Sequence, residues 1–143
     1  MKRFWRGEEG AVLVETAIIL PVSLAILLGG FEIGRAFVYH HTIDTSLREA
    51  ARYIARLPIA IGNDQARASN LVQYGVWADS APTPSRLDPG TGVTITLNFR
   101  LQDGRTFVML NASANYQFDM LSFIGLSPSM RFQVSHEQPH IGA

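Results

Sequence analysis

The sequence predicts an α+β protein: a long N-terminal transmembrane helix continues outward as an amphipathic helix and packs there on a small antiparallel β-sheet. Three observations carry this. Ala11 to Phe31 is an apolar run broken by one charge, Glu15. Apolar residues then recur at alternating steps of four and three as far as Leu57. Beyond residue 90 the pattern changes to the two-residue alternation of strands, with an Asp103-Gly104 turn between two of them.

The chain has 143 residues, enough for one small domain once the apolar segment is set aside. Lys plus Arg total 12, as do Asp plus Glu, so the formal net charge is zero and no basic stripe suggests nucleic acid as a partner. The sequence contains no cysteine, which excludes a disulfide framework, a thiolate zinc site and a cysteine nucleophile.

At about 1.5 Å per residue, a helix over 11–31 matches the roughly 30 Å hydrocarbon core of a bilayer. A cleaved secretory signal would be shorter and end at an A-x-A-like site, and none follows Phe31. Lys2, Arg3 and Arg6 precede the run, so residues 1–10 form a short basic cytoplasmic leader and the residues after about 35 lie outside. A carboxylate inside the span is costly, about 2.5–3.5 kcal/mol for an acidic residue at the centre and less toward an end. Glu15 therefore calls for a partner. Cleavage between Gly10 and Ala11 would give Ala11 an α-ammonium able to pair with Glu15 of a neighbouring copy or related subunit in a low-dielectric helix bundle. The plainer alternative is a snorkelling or protonated Glu15 near the cytoplasmic interface.

The stretch RGEEGAVLVETAIILPVSLAILLGGFEIGRAFVYHHTIDTSLREAARYIARL, residues 6–57, resembles the N-terminal region of the TadE-like family, pseudopilins or minor pilins of the Tad (Flp) pilus system. The resemblance implies a prepilin peptidase that cuts after Gly10, with Ala11 the new N-terminus and Glu15 its fifth residue. Thr16 stands where major Flp pilins usually have Tyr, which points away from the major subunit. Pro21, Glu32-x-x-Arg35 and Ala50-Ala51-Arg52 also look like TadE proteins. The family implies a pilin-like extracytoplasmic domain over 32–143. Its partners would be prepilin peptidase, other pilins and pseudopilins, Tad inner-membrane assembly proteins and the lipid bilayer. Its setting would be the bacterial inner membrane, N-terminus cytoplasmic and outer domain periplasmic. An uncleaved single-pass anchor bearing a scaffold or ligand-binding domain, and a general-secretion pseudopilin, are the rival readings.

Within the span, Pro21 lacks a backbone donor and should kink or loosen the helix. Gly30 and Gly34 form a small-xxx-small pair that permits close helix approach. Ala36, His40, Ile43, Leu47, Ala50, Ile54 and Leu57 define one face of a helix over 32–57, expected to pack on the same chain and to stop before Pro58. Arg48, Arg52 and Arg56 form a like-charged row, with Asp44 placed to pair with Arg48. Asn63 or Asp64 caps a short helix over about 63–75, ended by Gly75. APTPSRLDPG, residues 81–90, reads as a linker. The β region, 91–137, comprises strands Val93–Leu101 and Arg105–Phe118, a turn or helical excursion over Asp119–Leu126, and a third strand Met130–Val134.

No catalytic machinery is legible. HEQPH, His136 to His140, formally matches the H-E-x-x-H zinc motif, which needs both histidines on one helix face, and Pro139 sits inside the helix it would require. It reads instead as a polar tail. Asp44-Thr45-Ser46 begins like a von Willebrand-type metal motif, but Arg48 occupies the next ligand position. The adjacent His40 and His41 point to different sides of a helix. The sequence therefore calls for no enzyme activity, cofactor or metal.

Overall fold

The computed structural model describes residues 8–58, 64–80, 87 and 92–142. A single helix, α1 (Glu8–Ile54), carries the chain through 47 residues, about 70 Å at the usual helical rise. It runs unbroken through Pro21. The residue there has no N–H to give to the preceding turn, but its ring-fixed φ is itself helical. After Ile54 the chain tightens, Arg56 N–H bonding to Tyr53 O at 3.1 Å and Leu57 N–H to Ile54 O at 3.0 Å.

A second helix, α2 (Asp64–Tyr74), follows, and the rest is a meander of β1 (Val93–Gln102), β2 (Arg105–Gln117) and β3 (Ser129–Pro139) in spatial order β1-β2-β3. A short 3-10 helix, Met120–Ile124, lies between β2 and β3. Both strand pairs are antiparallel, with Leu97 opposite Leu110 and Leu110 opposite His136. The α+β class with a long apolar N-terminal helix is borne out. Asp103 (φ 51°) and Gly104 (φ 73°) make the β1–β2 turn in the left-handed region, the conformation that a two-residue hairpin demands and that an Asp-Gly pair adopts at low cost.

The outer half of α1 lies against the inner face of this sheet. Ile43 and Leu47 from α1, Val72 from α2, and Val108 and Leu110 from β2 are fully buried and form the centre of the core. Along β2 burial alternates through Val108, Leu110, Ala112, Ala114 and Tyr116, the two-residue period of a sheet with one covered face. Full burial of side chains of this size stabilises by about 1.5–3 kcal/mol each. The predicted helix face is corrected at one step. Tyr39 rather than His40 is in the core, while His40 and Leu57 are only half-buried. His40 instead sets its ring edgewise on Phe132, 5.2 Å between centroids.

Helix α2 covers the outer edge of β1 with two glutamines. Gln65 Nε2 donates to Ile95 O, Leu97 N–H donates to Gln65 Oε1 at 2.7 Å, and Gln73 Nε2 donates to Val93 O at 3.3 Å. Side-chain amides thus stand in for a neighbouring strand along an edge otherwise open to pairing. A bidentate pair, Arg67 Nε to Asp79 Oδ1 at 2.7 Å and Arg67 Nη2 to Asp79 Oδ2 at 3.0 Å, ties α2 to the segment after it.

β3 extends to Pro139, so the residues read as a polar tail belong to the sheet. Strand geometry accommodates Pro139 because it is the last residue of an edge strand. Beyond it, Ile141 and Gly142 donate backbone N–H bonds to Ala55 O at 2.8 and 3.1 Å, and the His140 ring meets Leu57 O at 2.8 Å. The end of α1 is thereby capped by the last residues of the chain. The predicted linker lies outside the described residues except Leu87, which is buried in the core. Residues 1–7 of the leader and Asn63, the other proposed cap of α2, also lie outside them.

Candidate functional site

The first half of α1 is a bare apolar shaft: residues 11–27 are all exposed, although nearly all are apolar. Among the described residues it is the one helix long and apolar enough to cross a membrane. Gly10 and Ala11 fall in its first turn, where N–H groups have no partner within the helix. Glu15 is exposed on the shaft, with no hydrogen bond or ion pair to another described residue. Gly30 and Gly34 face open space, and a methyl group added at either meets nothing within 4 Å. The residues read from the sequence as processing, pairing and packing positions, Gly10, Ala11, Glu15, Pro21, Gly30 and Gly34, thus share one helix. No contact among the described residues brings them to a common centre.

A different site lies where the shaft enters the folded domain. Glu32, one residue beyond the apolar run, is completely buried. Its Oε1 accepts from Tyr116 Oη at 3.2 Å and from the Asp119 backbone N–H at 3.1 Å. Its Oε2 is buried without a hydrogen bond, and Arg35 Nη1 stands 4.0 Å away. Three elements meet at this carboxyl group: α1, the end of β2, and the turn leading into the 3-10 helix. Tyr116 is wedged among rings, 5.5 Å from Tyr39 and 5.2 Å edge-on from Phe118. Burial raises the pKa of the Tyr116 phenol above its ordinary value, and the Glu32 charge raises it further while Arg35 pulls it back. A buried carboxyl with two donors and a nearby guanidinium fixes geometry more than it adds net stability, since its desolvation offsets much of the attraction.

Sequence reading named Glu32 only for its family resemblance. Its helical spacing carried a signal nonetheless: Glu32 lies four residues before Ala36 and seven before Tyr39, in line with the buried stripe.

One comparison with known proteins covers this junction. Residues 10–52 match the model for TadE-like proteins. The TadE-like segment starts at Gly10, takes in the shaft, Glu32 and Arg35, and runs along the buried stripe to Arg52. The resemblance read from residues 6–57 is borne out over that range. Neither curated proteins nor solved structures give a match to the chain.

Elsewhere, HEQP lies on β3. Successive strand side chains point to opposite faces, so His136 turns inward and Glu137 outward, and the geometry of a helical zinc motif is absent. No group of three or more His, Asp or Glu among the described residues is placed to hold a metal ion. The outer face of the sheet carries a shallow depression of about 500 Å³. Hydroxyls and amides line it, from Thr94, Thr96, Asn111, Ser113, Gln133 and Ser135. Arg48 pairs with Asp44 at 2.8 Å and, like Arg52 and Arg56, lies exposed, as a solvated charged row does.

Proposed function

We propose that this chain is a membrane-anchored pseudopilin or minor pilin needed for Tad (Flp) pilus biogenesis. A prepilin peptidase processes it after Gly10, and it acts through helix packing and subunit contacts rather than catalysis. The observation that carries this reading is the coincidence of three boundaries. The TadE-like match begins at Gly10, the exposed apolar shaft begins at Ala11, and the folded domain begins to bury α1 at Glu32. A helix that is apolar all round yet uncovered by its own chain has a membrane or other helices as its surroundings.

The mechanism is structural. The leader stays in the cytoplasm and the domain beyond Glu32 stands in the periplasm, with the shaft in the inner membrane. Cutting after Gly10 creates the Ala11 ammonium, and Glu15 of a neighbouring subunit neutralises it, fixing the register between helices in a medium where an unpaired charge costs several kcal/mol. The open faces of Gly30 and Gly34 let a second helix approach closely. The Glu32 junction holds the domain at a set orientation on the shaft, so that packing the shafts also places the domains.

The deciding experiment is the intact mass of membrane-extracted protein made with and without the prepilin peptidase. Loss of residues 1–10 only when the peptidase is present is the expected result. An unchanged mass in its presence refutes processing and leaves an uncleaved anchor.

A further inference from the structure

We propose that the β2–β3 connection with the first two residues of β3, residues 118–130, is a second membrane contact, seated in the headgroup region of the outer leaflet beside the span. The inference rests on the reading of residues 11–31 as membrane-spanning. The connection reads FDMLSFIGLSPSM and has a single charged side chain, Asp119. The Asp119 backbone N–H is bonded to Glu32, which pins the connection to α1 one residue past the last apolar position of the span. The 3-10 helix contacts α1, and Leu28, near the end of the span, is half-buried where residues 11–27 are all exposed.

The surface around this point is apolar on both sides of the junction. Leu126 and Met130 are 55% and 49% exposed, and on α1, at the end of the span and just past it, Phe31 and Phe37 are 58% and 72% exposed. Between α1 and β3 runs an apolar cleft of about 250 Å³, walled by Ile33, Phe37, Met130 and Phe132. The opposite end of the domain differs in kind, since the β1–β2 hairpin there carries Arg100, Asp103 and Arg105.

Lipid is the occupant because the apolar surface is continuous with a helix that lipid already surrounds, at the level where that helix leaves the hydrocarbon. The chemistry also sets the depth. Irregular backbone and the hydroxyls of Ser122, Ser127 and Ser129 keep the connection out of the hydrocarbon core. Apolar side chains on a polar framework are what the interface accepts. The domain would then rest on the membrane at two points, the span and the connection, which restricts its tilt.

The chain has no cysteine, so one introduced cysteine takes one label. Leu126→Cys, Leu20→Cys and Asn98→Cys variants of the full chain, each carrying an environment-sensitive fluorophore, are reconstituted in phosphatidylcholine vesicles. The vesicles contain lipids brominated either near the headgroup or near the chain end. The expected result is loss of fluorescence at residue 126 to the shallow bromines, loss at 20 to the deep ones, and none at 98. Quenching at 20 without quenching at 126 overturns the second contact and leaves the span intact. No quenching at 20 overturns the span itself. Shielding of residue 126 from an aqueous quencher without bromine quenching, relieved by dilution into excess lipid, assigns the face to a second copy and also overturns the proposal.

Discussion

Replacing Tyr116 by Phe removes one oxygen from the Glu32 junction and leaves the ring in place. Its contacts with Tyr39 at 5.5 Å, Phe118 at 5.2 Å and Phe132 at 6.4 Å survive, so the variant isolates the hydrogen bond to Glu32 Oε1. Bonds to charged groups contribute about 1.5–3 kcal/mol. This one is long, at 3.2 Å, and Oε1 keeps the Asp119 N–H at 3.1 Å, which places the loss near the lower end, about 1.5 kcal/mol. For an outer domain of this size that lowers the unfolding midpoint by about 6 °C. The assay is thermal unfolding of the full chain in lipid nanodiscs, followed by tryptophan fluorescence. A double-mutant cycle with Glu32→Gln separates the bond from any general loosening. A destabilisation under about 0.5 kcal/mol, the level of an ordinary surface change, would refute the claim that this bond holds the domain to the shaft.

The same phenol imposes a pH dependence. Its folded pKa is raised above the ordinary 10.0, so the neutral form is favoured in the fold. That stability is fully present below about pH 10 and is lost as pH rises through the raised value; alkaline unfolding of Tyr116→Phe should lack this component. Glu15→Ala should insert normally yet assemble poorly, because the pairing removed between subunits is worth about 3 kcal/mol or more; normal pilus yield from that variant counts against the register role. At Gly142 a Cβ would run into the Leu57 carbonyl, so Gly142→Ala must shift the backbone that caps α1. It should cost about 1–3 kcal/mol and speed hydrogen exchange at Ile141. Gln65→Ala frees the β1 edge at Ile95 and Leu97. It should cost about 1–3 kcal/mol and increase self-association in light scattering, whereas unchanged scattering would mean the edge is guarded by something else.

The apolar shaft, the alternating strands and the Asp-Gly hairpin are legible because each is a local pattern with one physical cause. The helix face was legible to within one residue: His40 and Tyr39 are neighbours, and only the rings of Tyr116 and Phe132 decide which one turns inward. β3 was read too short because Pro139 and the polar His136-Glu137 pair suggest a tail. An edge strand admits Pro139 at its end and turns Glu137 to water while His136 faces inward. Glu32 was the larger omission. A carboxyl group at the end of an apolar run looks like an ordinary interfacial charge until Tyr116 and the Asp119 N–H, far along the chain, are seen to surround it. The amide covering of β1 was hidden for the same reason, because Gln65 and Leu97 are 32 positions apart.

The long sequence reach of these contacts governs how the domain comes into being. Glu32 waits for partners 84 and 87 residues later, and Leu57 for one 83 residues later. At about 5–20 residues per second of synthesis, Glu32 is made roughly 4–17 s before Tyr116. During that interval the outer stripe of α1, Tyr39 to Ile54, has α2 but not the sheet to pack against. Completion of the domain therefore comes late in folding, and a truncation that removes β3 and residues 140–142 should leave the outer stripe of α1 without part of its sheet and α1 without its cap.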